Sequence, residues 1–75
     1  MVEAMLTFEV HDDGQLDVFM NREGIRHLDH VLRELERSED HTHLMTKEWG
    51  GVGLSSEQQT LDGTLLNKVT FRFVP

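Results

Sequence analysis

The chain contains no cysteine, which excludes a disulfide scaffold, thiolate metal ligands and a thiol nucleophile. It also lacks tyrosine, and it has a single tryptophan and a single proline. No apolar run approaches the roughly 18 residues that a membrane-spanning helix requires. The first residues, Met1 to Met5, lack the basic-then-apolar order of a signal peptide. We therefore expect a cytoplasmic protein without a membrane segment.

Positive charge is scarce, with 7 Lys and Arg residues against 14 Asp and Glu residues and a net charge of −7. Because affinity for phosphate backbones comes from Lys and Arg, this balance argues against binding to DNA, RNA or anionic lipid. It favours a basic protein as partner, although net negative charge also simply keeps small proteins soluble. A length of 75 residues leaves room for one domain, residues 1–75.

Alternation of apolar and polar residues predicts strands from Val2 to Val10, from Leu16 to Met20 and from Leu65 to Phe73. The sequence Asp12-Asp13-Gly14 between the first two is a hairpin turn signal. A shorter strand is predicted from His41 to Thr46. The stretch from Ser55 to Leu61 is ambiguous between a helical turn opened by a capping box and an edge strand.

The period changes after Asn21, a residue suited to cap the start of a helix. Ile25, Leu28, Leu32 and Leu35 then share one stripe at helical spacing, which predicts a helix from about Arg22 to Arg37. The fold class that follows is α+β with two layers. One helix packs on an antiparallel sheet of four strands (three to five, depending on residues 55–61), in the order β-β-α-β-(β)-β.

The sheet face turned away from the helix is expected to carry an apolar patch with a charged rim, as a protein interface does. The apolar members of this face are Met5, Phe19, Met45, Leu66 and Val74. The charged members are Glu3, Glu9, Asp17, His43, Lys68 and Arg72. Such a face would bind a partner or a second copy, but scattered exposed apolar residues are also normal on protein surfaces.

Trp49 precedes Gly50-Gly51 and is either an exposed binding anchor or a cover over one end of the core. Under the binding hypothesis, the apolar contributors are Trp49, Phe19, Met45 and Met5. The acidic contributors are Asp12, Asp13, Asp17, Glu39 and Asp40.

The five histidines form two clusters that suit zinc by residue type. His27 and His30 share a helix stripe with Glu23 and Glu34, where a solvated polar face is the simpler interpretation. His41 and His43 share a strand face, where a structural role, such as holding a loop, is favoured over metal binding or pH sensing. We assign no metal and no cofactor.

Catalytic patterns are weak. Ser38, Ser55 and Ser56 lie in no nucleophile motif, and no glycine-rich phosphate loop follows a strand. A cavity of several hundred Å3 is not expected in so small a two-layer fold. We therefore expect no enzyme; a small hydrolase or isomerase using His43 as a base is the least favoured alternative.

Several segments together resemble the bacterial immunity protein 32 family, over most of the chain. They are Asn21-Arg22-Glu23-Gly24-Ile25 entering the helix, His41-Thr42-His43-Leu44-Met45-Thr46, Trp49-Gly50-Gly51, Leu54-Ser55 and the closing strand. The His-x-His-Leu-Met-Thr stretch and the Trp-Gly-Gly loop are the most specific of these. The resemblance implies a cytoplasmic protein that binds and neutralises a cognate toxin of a polymorphic toxin system. It brings no catalytic or ligand residues to this chain.

The leading hypothesis is thus a small acidic immunity-type protein that blocks the active groove of a basic toxin, such as a nuclease. The alternative is a metal-binding or homo-oligomeric accessory domain without catalytic activity, in which the apolar sheet face pairs with itself as a homodimer.

Overall fold

The computed structural model describes residues 3–75, so Val2, the predicted first residue of the first strand, lies outside the described part. The elements in chain order are β1 (Leu6–Val10), β2 (Leu16–Met20), α1 (Arg22–Ser38), β3 (His41–Met45), a 3-10 turn (Lys47–Trp49), β4 (Thr64–Leu65) and β5 (Lys68–Arg72). The α+β class, its element order and the helix bounds are confirmed. Within residues 3–75, no helix has the length and apolar character needed to cross a membrane.

The first hairpin forms as its alternation predicts. β1 and β2 pair antiparallel in a continuous register from Leu6 opposite Met20 to Val10 opposite Leu16. The turn between them places Gly14 at a φ of 88°, where side chains are disfavoured, and the Asp13 carboxylate accepts a hydrogen bond from the Gln15 N–H.

The five strands form two sheets instead of the single predicted sheet, with orders β2-β1-β4 and β3-β5. The predicted last strand divides because the chain bends at Leu66 and Asn67. The Leu66 N–H donates to the Phe8 carbonyl, and the Asn67 carbonyl accepts from the Thr46 N–H. One segment of chain thereby joins both sheets.

The bend also reverses the alternation of side chains. Leu66 was expected on the outer face, but it packs against the core, as do Val69 and Phe71 beyond the bend. Leu65, expected inside, stands opposite Glu9 on the other face of the sheet. Two residues outside any strand separate β4 from β5, so one continuous period cannot describe both.

The helix is fixed at its start by Asn21. Its Oδ1 accepts hydrogen bonds from the Gly24 N–H, at 2.8 Å, and from the Met5 N–H, at 2.9 Å. This cap ties α1 to the residues leading into β1. The approach is so close that a Cβ on Gly24 would lie 1.8 Å from the Met5 carbonyl oxygen. At the other end, Glu39 takes a left-handed conformation and the helix stops where the sequence predicts.

The core lies where α1 covers β1 and β3. Leu6, Phe8, Leu44 and Leu54 are its buried residues, and the partly buried Leu28, Val31, Leu66, Val69 and Phe71 surround them. The Phe8 and Phe71 rings meet edge to face, with centroids 6.1 Å apart.

The helix covers β2 only in part, a feature that the alternation of apolar residues does not indicate. Ile25 and Leu32, placed on the buried stripe by their spacing, are 54% and 43% exposed. Leu16, Val18 and Met20, on the helix side of β2, are also substantially exposed. The buried helix face is therefore centred on Leu28 and Val31, and Ile25 and Leu32 lie at its margin.

The outer face of β1 is covered, so the predicted exposed position of Glu9 is wrong. Glu9 is fully buried, and its carboxylate accepts hydrogen bonds from the Gln59 N–H, the Thr60 N–H and the Thr60 hydroxyl. The residues between Ser55 and Leu61 are neither helix nor strand, because Glu9 supplies the acceptors that a regular element would otherwise provide.

The same contacts determine how Glu9 titrates. Burial by itself would raise the pKa of this carboxyl, but the hydrogen bonds from Thr60 and Gln59, aided by the nearby His11, outweigh it and lower the pKa below its ordinary value of 4.5. A carboxyl with a lowered pKa in the folded state stabilises the fold above its unfolded-state pKa. That contribution is lost as the pH falls through the folded-state pKa.

We expect the Glu9→Gln variant to be less stable than the parent chain at about pH 7. The NH2 group of the glutamine side chain is a donor and cannot accept the hydrogen bonds that Gln59 and Thr60 donate to the carboxylate. The difference in free energy of unfolding should shrink as the pH falls below 4.5. Urea denaturation at several pH values measures it. Glu57→Gln, at an exposed position, is the matched control and should leave the pH dependence unchanged. A difference for Glu9→Gln that does not vary with pH would contradict this role.

Candidate protein-binding site

Residues 46–52, the Trp49 loop, are held rigidly on the end of β3. Thr46 is fully buried; its hydroxyl donates to Asn67 Oδ1 at 2.8 Å and its N–H donates to the Asn67 carbonyl at 3.0 Å. The Thr46 carbonyl accepts hydrogen bonds from the N–H groups of Trp49 and Gly51. A single buried threonine thus connects the loop to the bend of the last strand.

Two glycines allow the loop to close. Gly50 ends the 3-10 turn at a φ of 78°, and its N–H donates to the Lys47 carbonyl. Gly51 lies directly against Met45, where a Cβ would come within 2.5 Å of the methionine Cβ. The loop returns to β3 through the hydrogen bond from the Met45 N–H to the Val52 carbonyl.

This frame presents apolar side chains to solvent. Trp49 is 59% exposed and Val52 is 82% exposed. The two interpretations of Trp49 left open by the sequence are thereby decided in favour of exposure. A rigid, exposed tryptophan offers a large apolar area with few rotatable bonds, and such a residue is suited to anchor a protein interface.

The outer face of the β3–β5 ribbon adjoins the loop through Met45. Leu44 and Val69 point into the core, so the other face carries His41, His43 and Met45 on β3 and Lys68, Thr70 and Arg72 on β5. On this acidic chain the ribbon face is locally basic.

The two strand histidines on this face have structural partners. His43 Nδ1 lies 2.8 Å from the Thr70 hydroxyl on the paired strand, and His41 Nδ1 lies 2.8 Å from Asp40. Desolvation, with the positive charges of Lys68, His41 and Arg72, lowers the pKa of His43. The imidazole of His43 therefore charges less readily near neutral pH than a free histidine.

The helix histidines have separate surroundings. His30 is exposed, whereas His27 lines a cavity of about 230 Å3 with Leu54 and Ser55, and its Nε2 is buried without a hydrogen-bond partner among the described residues. The acids of the same stripe pair with arginines: Glu23 with Arg26 and Glu34 with Arg37. Among residues 3–75, no group of three or more His, Cys, Asp or Glu side chains could hold a metal ion.

The acidic candidates lie elsewhere. Asp12 and Asp13, together with Asp62, form an acidic tip around His11 at the end of the first hairpin. Asp17, half-buried, lies 2.9 Å from His11 Nε2. A hydrogen bond from the Gln15 amide and the contact with His11 outweigh burial and lower the pKa of Asp17.

The other candidates are spread over the molecule. Glu39 and Asp40 are exposed between α1 and β3, whereas Phe19 is half-buried opposite Thr7, on the sheet face away from the helix. Met5 is half-buried beside the helix start. Among the apolar candidates, Met45 lies at the base of the loop that carries Trp49, whereas Phe19 and Met5 lie on other elements.

An open cavity of about 560 Å3 was not expected from the sequence. It lies between Glu3, Lys47 and residues 51–57, and its lining includes Ser55 and Ser56. The Ser55 hydroxyl accepts a hydrogen bond from the Leu6 N–H, and His43 does not line this cavity. Residues 51–57 have no apolar periodicity from which such a cavity could be predicted.

No protein-family model, curated protein or solved structure matches this chain.

We expect Thr46→Val to lower the free energy of unfolding by about 1–3 kcal/mol, because it removes the hydrogen bond between the buried Thr46 and the half-buried Asn67 Oδ1. The Trp49 loop should also become more mobile, which fluorescence anisotropy of the single tryptophan reports. Thr42→Val is the same change within β3, at a hydroxyl without a hydrogen bond among the described residues, and should change stability by less than about 0.5 kcal/mol. Equal effects of the two substitutions would show that the Thr46 hydroxyl does not fix the loop.

Proposed function

We propose that this chain is a non-catalytic immunity-type protein of the bacterial cytoplasm. It binds one cognate protein toxin and neutralises it by covering the toxin's active groove, with Trp49 as the central anchor. The observation that carries the proposal is the 59% exposure of Trp49 on a loop that is fixed at both ends.

Rigid presentation is what makes Trp49 suitable for this role. Exposing a large apolar side chain to water has a free-energy cost that binding would recover. Because Thr46, Gly50 and Met45 already fix the backbone around it, binding would order few additional bonds. Val52 on the same loop and Met45 at its base would extend the apolar contact around the anchor.

Net charge supports a basic partner. Three helix arginines, Arg26, Arg33 and Arg37, pair with acids on the same helix, so they do not offset the acidic excess elsewhere. A charge of −7 attracts a basic protein over long range and speeds its encounter. A nuclease fits this description, because its groove must bind a polyanion.

Local charge beside the anchor has the opposite sign. Lys68 and Arg72 lie on the ribbon face that adjoins the Trp49 loop. A partner that is basic overall would thus contact the anchor through an apolar or acidic part of its surface. Its basic groove would lie against acidic regions such as the acidic tip. Such alternation of charge gives a complex its orientation.

The sequence resemblance supports the same site. The segments from His41 to Thr46 and from Trp49 to Gly51 are the most specific part of the resemblance to immunity protein 32. These segments form β3 and the Trp49 loop. The proposed binding site and the resemblance therefore coincide on the same residues.

The test begins with capture of the partner from source-cell lysate by the tagged chain. We expect one basic protein, held less tightly as salt increases. Purified partner is then titrated against Trp49→Ala and against Leu61→Ala, which truncates a fully exposed apolar side chain outside the Trp49 loop. Trp49→Ala should weaken binding by about thirtyfold or more, as hot-spot residues do, and Leu61→Ala by less than about threefold.

Toxicity decides the immunity part of the proposal. The captured protein should arrest cells when it is produced alone, and growth should return when the chain is produced with it. A captured partner that is harmless alone contradicts the immunity function but is still consistent with a protein-binding function. Equal affinity of the two alanine variants contradicts the Trp49 site.

A further inference from the structure

The free edge of β2 combines two features that a protein surface usually avoids. The sheet order places β2 at the edge, and its sequence from Leu16 to Met20 has no lysine, proline or bulge to block another strand. Beside this edge lies an exposed apolar strip. Its members are Val10, Leu16, Val18, Met20, Ile25 and Leu32, each between 37% and 54% exposed.

The helix residues of the strip face β2. Ser55 hydrogen-bonds Leu6 on the edge of β1 opposite β2, and His27 lines a cavity with Ser55. Ile25 and Leu32 lie on the other flank of α1, and this flank faces β2. At these exposures the six apolar residues together expose about 500 Å2, which is in the upper range for an apolar patch on a monomer.

The hydrogen-bond pattern of the hairpin shows which backbone groups are free. The His11 N–H donates to the Gln15 carbonyl and the Asn21 N–H to the Met5 carbonyl, so the odd-numbered residues of β2 bond to β1. The N–H and C=O groups of Leu16, Val18 and Met20 consequently point to the open edge. Three donors and three acceptors alternate there, symmetric about Val18.

We propose that a second copy of this chain covers the strip, in a symmetric dimer whose β2 strands pair antiparallel about a two-fold axis at Val18. In this register Val18 faces Val18 of the other copy and Leu16 faces Met20. All six free backbone groups of each β2 strand are then paired. The two three-stranded sheets become one sheet of six strands, in the order β4-β1-β2-β2-β1-β4.

Charge and area favour the second copy. The apolar strip has no charged member, and the one charge on β2, Asp17, stands opposite Phe19 of the other copy and not opposite another aspartate. The Asp17 carboxylate is already engaged by His11 and Gln15. An apolar strip of about 500 Å2, with the strand backbone and rim added, approaches the roughly 800 Å2 per partner of a standard interface.

The dimer is independent of the proposed immunity function, because it does not use the Trp49 loop. The two associations also differ in their response to salt. Two copies of charge −7 repel each other, so added salt should strengthen the dimer, whereas it should weaken a complex with a basic partner.

The experiment measures the molar mass of the full chain by light scattering at low and moderate salt. We expect twice the chain mass of 8.7 kDa. The fraction of dimer should stay the same or rise as the salt concentration increases. Val18→Lys should halve the mass with an unchanged circular dichroism spectrum. Val74→Lys, a matched change at an 81% exposed valine outside the strip, should remain dimeric.

Amide hydrogen exchange of the unmodified chain tests the geometry without any substitution. Leu16, Val18 and Met20 amides should exchange slowly in the dimer, and their exchange should speed up on dilution to monomer. A monomer at millimolar concentration overturns the proposal. So does a dimer whose Val18 amide exchanges freely, because its interface would lie on another face.

Discussion

The segment from Thr64 to Arg72 is the constraint on which the rest of the structure depends. Before its bend it pairs with β1, and beyond the bend it pairs with β3. This double pairing carries Phe71 back to Phe8 and closes the core beneath α1. The bend also supplies Asn67, to which the buried Thr46 and hence the Trp49 loop are attached.

The same arrangement decides what stays exposed. Because the core packs α1 mainly against β1 and β3, the helix side of β2 is only partly covered, and the apolar strip is the result. The Trp49 loop is exposed for a different reason, because its backbone contacts leave the indole outside the core. A single small core thus leaves two exposed apolar surfaces on separate elements, the Trp49 loop and the strip beside β2.

Local signals predicted the local structure well. The alternation of β1 and β2, the Asp13-Gly14 turn and the Asn21 cap each depend on neighbours in sequence, and each appears as expected. The bend at Leu66 and the burial of Glu9 depend on distant partners. Neither carries a periodic signal. The exposure of Trp49 also depends on tertiary contacts, so the sequence left two interpretations open. The acidic residues that lie together could be identified only from the folded structure.

The central claim is that Trp49 anchors a protein partner. Its most direct test is the emission of this single tryptophan while purified partner is added. We expect the emission maximum, initially that of an exposed indole, to shift to shorter wavelength and to saturate at one partner per chain, because binding removes the ring from water. Saturable binding with unchanged Trp49 emission would contradict the claim and would place the binding site on another surface.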